Sequence, residues 1–237
     1  MEFEFTYKKF KSQLETIKRN NYKVLTCAEY VEHKKAGISG KIFVNRVDID
    51  VNCRQARKIA MLFNELGLKA TFFVRLHANE YNPFSFEEYR SLKFIRDSGF
   101  EIGYHSEVID QSVIWNEDAE SCLLRDINIL NTMLDIKVKG VASHGGITGL
   151  NNLDFWKERK ASDFGLLYEA YDTQPEFDLF NHSLYVSDSN YRWKNYINGV
   201  LQQGDKSTLG ELVSSNKYPV IYATTHPDTY FNEHIYE

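Results

Sequence analysis

The chain has 237 residues, with 28 Lys and Arg against 33 Asp and Glu and a net charge of −5. That balance argues against a nucleic-acid partner, because such domains carry a basic excess. Its 43% hydrophobic and 26% charged residues are those of a globular protein with room for one large α/β domain or two small ones.

The charged start MEFEFTYKKF lacks the continuous apolar core of a signal peptide. No run approaches the roughly 20 apolar residues of a membrane span, so no transmembrane segment and a cytoplasmic setting are expected. Cys27, Cys53 and Cys122 are scattered and odd in number, which suggests neither a disulfide framework nor a zinc knuckle.

Phe10, Leu14 and Ile17 recur at helical spacing and predict an N-terminal amphipathic helix. KIFVNRVD is the first strong strand. A helix over 53–66 follows, with Ile59, Phe63 and Leu66 on one face and Gly67 as its stop. LKATFFVR reads as a buried parallel strand. The next helix is predicted to open with a capping box, Ser85 with Glu88 three residues on, and to close at Gly99. FEIGYH is a strand, and Glu117 to Leu134 is a long helix with Ala119, Leu123, Ile127, Leu130 and Leu134 on one side. KVKGVASHGG is a strand running into a glycine turn. NNLDFWKERK reads as a short helix, and FGLLYEA, SLYVSD and YPVIYATTHP as three more strands. Alternating strands and helices predict a parallel sheet with helices outside.

In such folds the ligand site lies beyond the carboxyl ends of the strands. Those ends carry Asp48 and Asp50, Arg75 and His77, then His105, His144, Asp188 and His226. Asp48 and Asp50 share a strand face, about 6–7 Å apart by the strand rise. Carboxylates that close oppose each other's ionisation unless a cation or donor compensates. The plainer reading makes them turn and cap residues. Carboxylates and several histidines at one rim favour a metal or acid–base site.

Four of these stretches together resemble the polysaccharide deacetylases of the NodB-homology type, carbohydrate esterase family 4. RVDID is similar to the aspartate pair that closes the family's first strand, and KATFFV to its second strand. GFEIGYHSE resembles its histidine motif, and IYATTHP its closing histidine. The resemblance spans most of the chain and is nearest to a divergent branch with D-x-D, H-x-E, H-G and H-P elements. It implies a distorted (β/α) barrel of about seven parallel strands in a single domain over residues 1–237, with residues 1–40 as a helical and loop extension packed on the barrel.

The activity implied is metal-dependent hydrolysis of an N-acyl group, N-acetyl first, on an amino sugar. The metal expected is a divalent transition ion, zinc first, with cobalt, nickel or iron as alternatives. By the family pattern Asp48 is the general base, Asp50 and His105 are metal ligands, and His226 is the acid that protonates the leaving nitrogen. Arg46, on the face of Asp48, is expected to fix that carboxylate. Glu107, Gly145, Asp188, Arg192 and Trp193 join it as substrate-side residues, and Arg75 and His77 belong to the rim. The chain departs from the usual motif in carrying Ile109 where a second histidine ligand belongs. The third donor is then sought in His144, Glu107 or Asp110, with His144 preferred because it arrives from a neighbouring strand end. Gly145 and Gly146 allow close backbone approach and offer N–H donors to a developing oxyanion.

The expected partner is an N-acylated sugar or glycan precursor of surface-polysaccharide synthesis. The competing readings are a carbohydrate-binding module that has lost its metal, and a hydrolase of another non-peptide C–N bond.

Overall fold

The computed structural model describes residues 3–37 and 39–236. In chain order the chain forms α1 (Tyr7–Arg19), β1 (Lys23–Leu25), α2 (Cys27–Lys35), β2 (Ile42–Ile49), α3 (Cys53–Leu66) and β3 (Thr71–Val74). Then come α4 (Phe86–Asp97), β4 (Glu101–Ser106), α5 (Val108–Trp115), α6 (Ala119–Leu134) and β5 (Gly140–Ser143). The last third holds β6 (Tyr168–Glu169), α7 (Leu179–His182), β7 (Leu184–Ser187), β8 (Lys194–Ile197), β9 (Val200–Leu201), α8 (Leu209–Ser214) and β10 (Val220–Thr225).

Seven strands run parallel in the order β6-β5-β4-β3-β2-β10-β7, and the β8–β9 hairpin adds antiparallel to the β7 edge. The first half of β2 also pairs with β1, Lys23 opposite Ile42, ahead of where β3 takes over at Arg46. The expected N-terminal extension therefore supplies a strand of the sheet itself.

Strand alternation divides the core in two. Phe43, Val47, Ile49, Phe72, Val74, Tyr104 and Val141 face outward and pack under α3, α4 and α6. Val44, Phe73, Ala142, Tyr168, Tyr185 and Tyr222 face inward and meet one another across the curled sheet. Large inward rings need small neighbours. A Cβ on Gly103 would lie 2.5 Å from the Phe73 ring, and one on Gly140 2.1 Å from Tyr168. These two glycines leave room for rings whose burial is worth about 1.5–3 kcal/mol each.

Among the described residues no ladder joins β6 to β7; side chains bridge that flank. Tyr168 stacks on Phe177 at 4.7 Å, Phe177 meets Tyr222 edge-on, and the Tyr222 hydroxyl donates to Ala170 O at 3.1 Å. The sheet is thus an incompletely closed barrel. Its amino-terminal end is plugged by α2, whose Cys27, Ala28 and Val31 sit in the inner cluster.

Several elements differ from the sequence expectation. Ser85 caps α4 without a side-chain hydrogen bond, and Glu88 instead accepts from Cys53 N (2.6 Å), capping the neighbouring α3. FGLLYEA contributes only two strand residues, while the short helix expected at NNLDFWKERK is present as a 3-10 helix, Asn152–Glu158. VIDQSVIW, to which the sequence reading assigns no element, is a helix, α5. Its first amides, Ile109 N and Asp110 N, are capped by the side chain of Asn152, 43 residues beyond Ile109.

Candidate metal centre and active site

Inward alternation along β2 puts Arg46 and Asp48 on the barrel's interior, with Asp50 just past the strand end. His105 projects from the end of β4 on the same side, and His144 follows β5 directly. His226 follows β10. All five of these residues after Arg46 line one cavity of about 350 Å³, together with Gly145, Tyr171, Ser189, Asn190 and Asp228. A larger cavity, about 880 Å³, lies at the other end of the barrel between α2 and the strand starts. It gathers lysines and glutamates but no comparable convergence of histidines and carboxylates.

Asp50, His105 and His144 each offer one donor atom, and these atoms lie within 4.8 Å of one another. His105 Nε2 is 3.3 Å and His144 Nε2 3.9 Å from Asp50 Oδ1. Donors of a tetrahedral zinc site stand about 3.4 Å apart, given bonds of ~2.0–2.1 Å. Asp50 Oδ1 is buried and has no hydrogen-bond partner, an orphaned acceptor that a cation would satisfy.

The tautomers suit the same role. His105 Nδ1 lies 2.8 Å from Ala142 O, and a carbonyl can only accept, so Nδ1 carries the proton and Nε2 presents its lone pair. His144 Nδ1 faces Glu107 Oε1 at 3.3 Å, off the hydrogen-bond angle. Glu107 is itself held by Arg75 (2.7 Å), which also donates to Asp50 O (3.0 Å). One buried guanidinium thus braces the backbone of Asp50 and the carboxylate behind His144. The donor set and its outer partners fit a divalent cation.

Charge organises the rest. Arg46 is fully enclosed and grips both oxygens of Asp48, at 2.7 and 2.8 Å. Its guanidinium also donates to the Tyr222 hydroxyl at 3.3 Å. Burial would raise the Asp48 carboxyl, but Arg46, His105 and His226 outweigh it and lower its pKa. Asp50 is likewise held below the ordinary carboxylate range, because His105, His226 and His144 overcome its burial. His226 donates from Nδ1 to Asp188 Oδ1 (2.7 Å), and its backbone N–H points at the same carboxylate (3.0 Å). Burial opposes a charged imidazole there, but Asp188, Asp48 and Asp50 together push His226 up to about 9. Its free Nε2 stands 4.0 Å from Asp48 Oδ2 and 4.0 Å from Asp50 Oδ2.

The structure places the remaining candidates differently from expectation. Asp188, sought among the substrate contacts, is fully buried beneath His226. Glu107 sits behind His144 and is absent from the cavity lining. Asp110 accepts from Ile147 N, Thr148 N and Asn152 Nδ2, so it staples the loop after His144. Arg192 is exposed and Trp193 packs on Phe5 (5.5 Å); neither lines the cavity, where Ser189 and Asn190 take that segment's place. His77 is tied to Asp126 (2.8 Å) against Trp115, away from the metal donors.

Sequence reasoning passed over Asp228, whose Oδ1 is buried, unpartnered and beside the cavity. Burial holds its pKa above the ordinary value despite His226. Its signal was available: it stands two residues past His226, in HPD.

No protein-family model matches the chain, and no curated protein matches it significantly. Solved structures similar to it include the following three. A mutant of a CE4-family pseudoenzyme with restored enzymatic activity is 15% identical, covers 79% of this chain and 57% of its own, and has a TM-score of 0.48. IcaB from Ammonifex degensii is 17% identical over 67% of this chain and 72% of its own, at TM-score 0.49. The Streptococcus pyogenes deacetylase PplD in complex with acetate is 13% identical over 93% and 83%, at TM-score 0.47. The chain thus spans little more than half the length of the first of these.

Proposed function

We propose that the protein is a metal-dependent hydrolase that removes an N-acyl group, N-acetyl first, from an amino sugar. The observation that carries this reading is the convergence of Asp50, His105 and His144 on one point, with Asp48 and His226 on its border. The likeness of RVDID, GFEIGYHSE and IYATTHP to the deacetylase motifs supports the amino-sugar substrate.

An amide carbonyl is a poor electrophile and its amine a poor leaving group. When bound, a divalent cation such as zinc supplies Lewis acidity toward the carbonyl and makes water acidic enough to attack near neutral pH. Asp48 is ionised at that pH and takes the proton of the attacking water on Oδ2, the oxygen nearer His105 and His226. Arg46 holds it in place, at the cost of making it a weak base. His226, charged below about 9, gives its Nε2 proton to the departing nitrogen, while Asp188 keeps Nδ1 protonated and the ring oriented. Gly145, at the cavity wall, would supply a backbone N–H to the developing oxyanion. Asp228 Oδ1 is an acceptor for a sugar hydroxyl.

The test is acetate release from N-acetylated amino sugars by zinc- or cobalt-reconstituted protein, with Asp48→Asn in parallel. The reading predicts release by the wild type and a loss of at least about a hundredfold in Asp48→Asn. Equal release by both would reject it.

A further inference from the structure

A second cavity, of about 250 Å³, opens beside the first and shares Tyr171, Ser189 and His226 with it. Strand register explains why it exists. In the antiparallel β7–β8 pair, Tyr185 stands opposite Tyr196 and Ser187 opposite Lys194, so all four project from the barrel's inner face. The hairpin thereby extends that face past β7. Phe180 completes the wall, 5.2 Å from Tyr185 and 5.5 Å from Tyr196.

The chemistry of the lining is one-sided. Among the described residues no carboxylate lines this cavity, whereas three carboxylates line its neighbour. Lys194 Nζ donates to Ser189 Oγ (2.8 Å) and makes no ion pair among the described residues. Tyrosine and serine hydroxyls line the same cavity as further donors. An ammonium among hydroxyl donors, walled by aromatic faces, suits an oxyanion carried on a ring that can stack. The shared wall is His226, the group that protonates the leaving nitrogen, so this cavity lies on the sugar side of the scissile bond. The last step rests on the proposed function.

We infer that the cavity beyond His226 is a subsite for an oxyanion on the saccharide, with Lys194 as its counter-charge and Tyr171, Phe180 and Tyr196 as its stacking wall. Together the two cavities fall in the ~300–1,000 Å³ range of small-ligand sites. The favoured substrate is therefore an acidic amino-sugar derivative rather than a neutral glycan.

The test is equilibrium binding to the wild-type protein of N-acetylglucosamine, its anomeric phosphate, and N-acetylmuramic acid, repeated with Lys194→Met and Lys194→Arg. The inference predicts that at least one of the acidic sugars binds about tenfold or more tightly than the neutral one. Lys194→Met removes that preference and Lys194→Arg keeps it. Preference for the phosphate alone, or for the carboxylate as well, identifies the source of the oxyanion. Equal affinities in the wild type, no measurable binding of any of the three, or a preference that survives Lys194→Met would overturn it. Acetate release measured on the same sugars separates the two claims. Acid preference without turnover sinks the proposed hydrolysis and leaves the subsite standing, and turnover without acid preference does the reverse.

Discussion

Replacing Asp188 by Asn removes the charge behind His226 while keeping the size of the side chain. Asp188 supplies the chief influences that raise His226, a 2.7 Å hydrogen bond and a full negative charge in a buried setting. The rise from 6.5 to about 9 is worth about 3 kcal/mol in favour of the imidazolium at ~1.4 kcal/mol per tenfold. Because the folded pKa lies above the unfolded one, this stabilisation is complete below pH 6.5 and is lost as pH rises through about 9. In the metal-free protein, ring-nitrogen NMR should show His226 titrating near 9 in the wild type and back toward 6.5 in Asp188→Asn. Urea unfolding should put the variant about 2 kcal/mol below the wild type near neutral pH, the gap narrowing above pH ~10. An unchanged His226 titration, or a stability gap that is the same at both pH values, would refute the assignment of Asp188 as the group that charges the acid.

Glu107→Gln should weaken zinc binding about 10–100-fold in calorimetric titration, because Glu107 stands behind His144 as its outer partner. Arg46→Met strands the Asp48 carboxylate in the barrel and should cost about 3–5 kcal/mol in denaturant unfolding at neutral pH. The loss should shrink in acid, once Asp48 is protonated. Gly103→Ala should cost about 1–3 kcal/mol, read as a lower melting temperature, since its Cβ would stand 2.5 Å from the Phe73 ring.

Much of the scaffold was legible because its signals are local. The Phe10, Leu14, Ile17 stripe is buried as a helix face, and α3 ends where Gly67 adopts a left-handed conformation, φ 65°. Strand ends carrying Asp48, Asp50, His105, His144 and His226 were readable because alternation fixes which side chains look inward. What failed depended on partners distant in sequence. α5 went unassigned because its cap comes from Asn152, and the Ser85–Glu88 pair located the start of α4 but not its bonding, because Glu88 is recruited to α3.

The same holds in the site. Nothing near Asp188 in sequence says that it belongs to His226, 38 residues on, and nothing near Trp193 says that Phe5 covers it. Arg75 was readable as a rim residue, but its brace on Glu107 and Asp50 exists only once three strand ends meet. The β8–β9 hairpin, too short for a periodic signal, was passed over together with Lys194.

The most direct measurement is the metal content of protein purified without a histidine tag and reconstituted with zinc, beside Asp50→Ala and His144→Ala prepared identically. The account predicts about one zinc per wild-type chain and its loss from both variants, because each removes one of three protein donors. A wild type that holds no zinc, or a His144→Ala that holds it as tightly as the wild type, would contradict the metal centre.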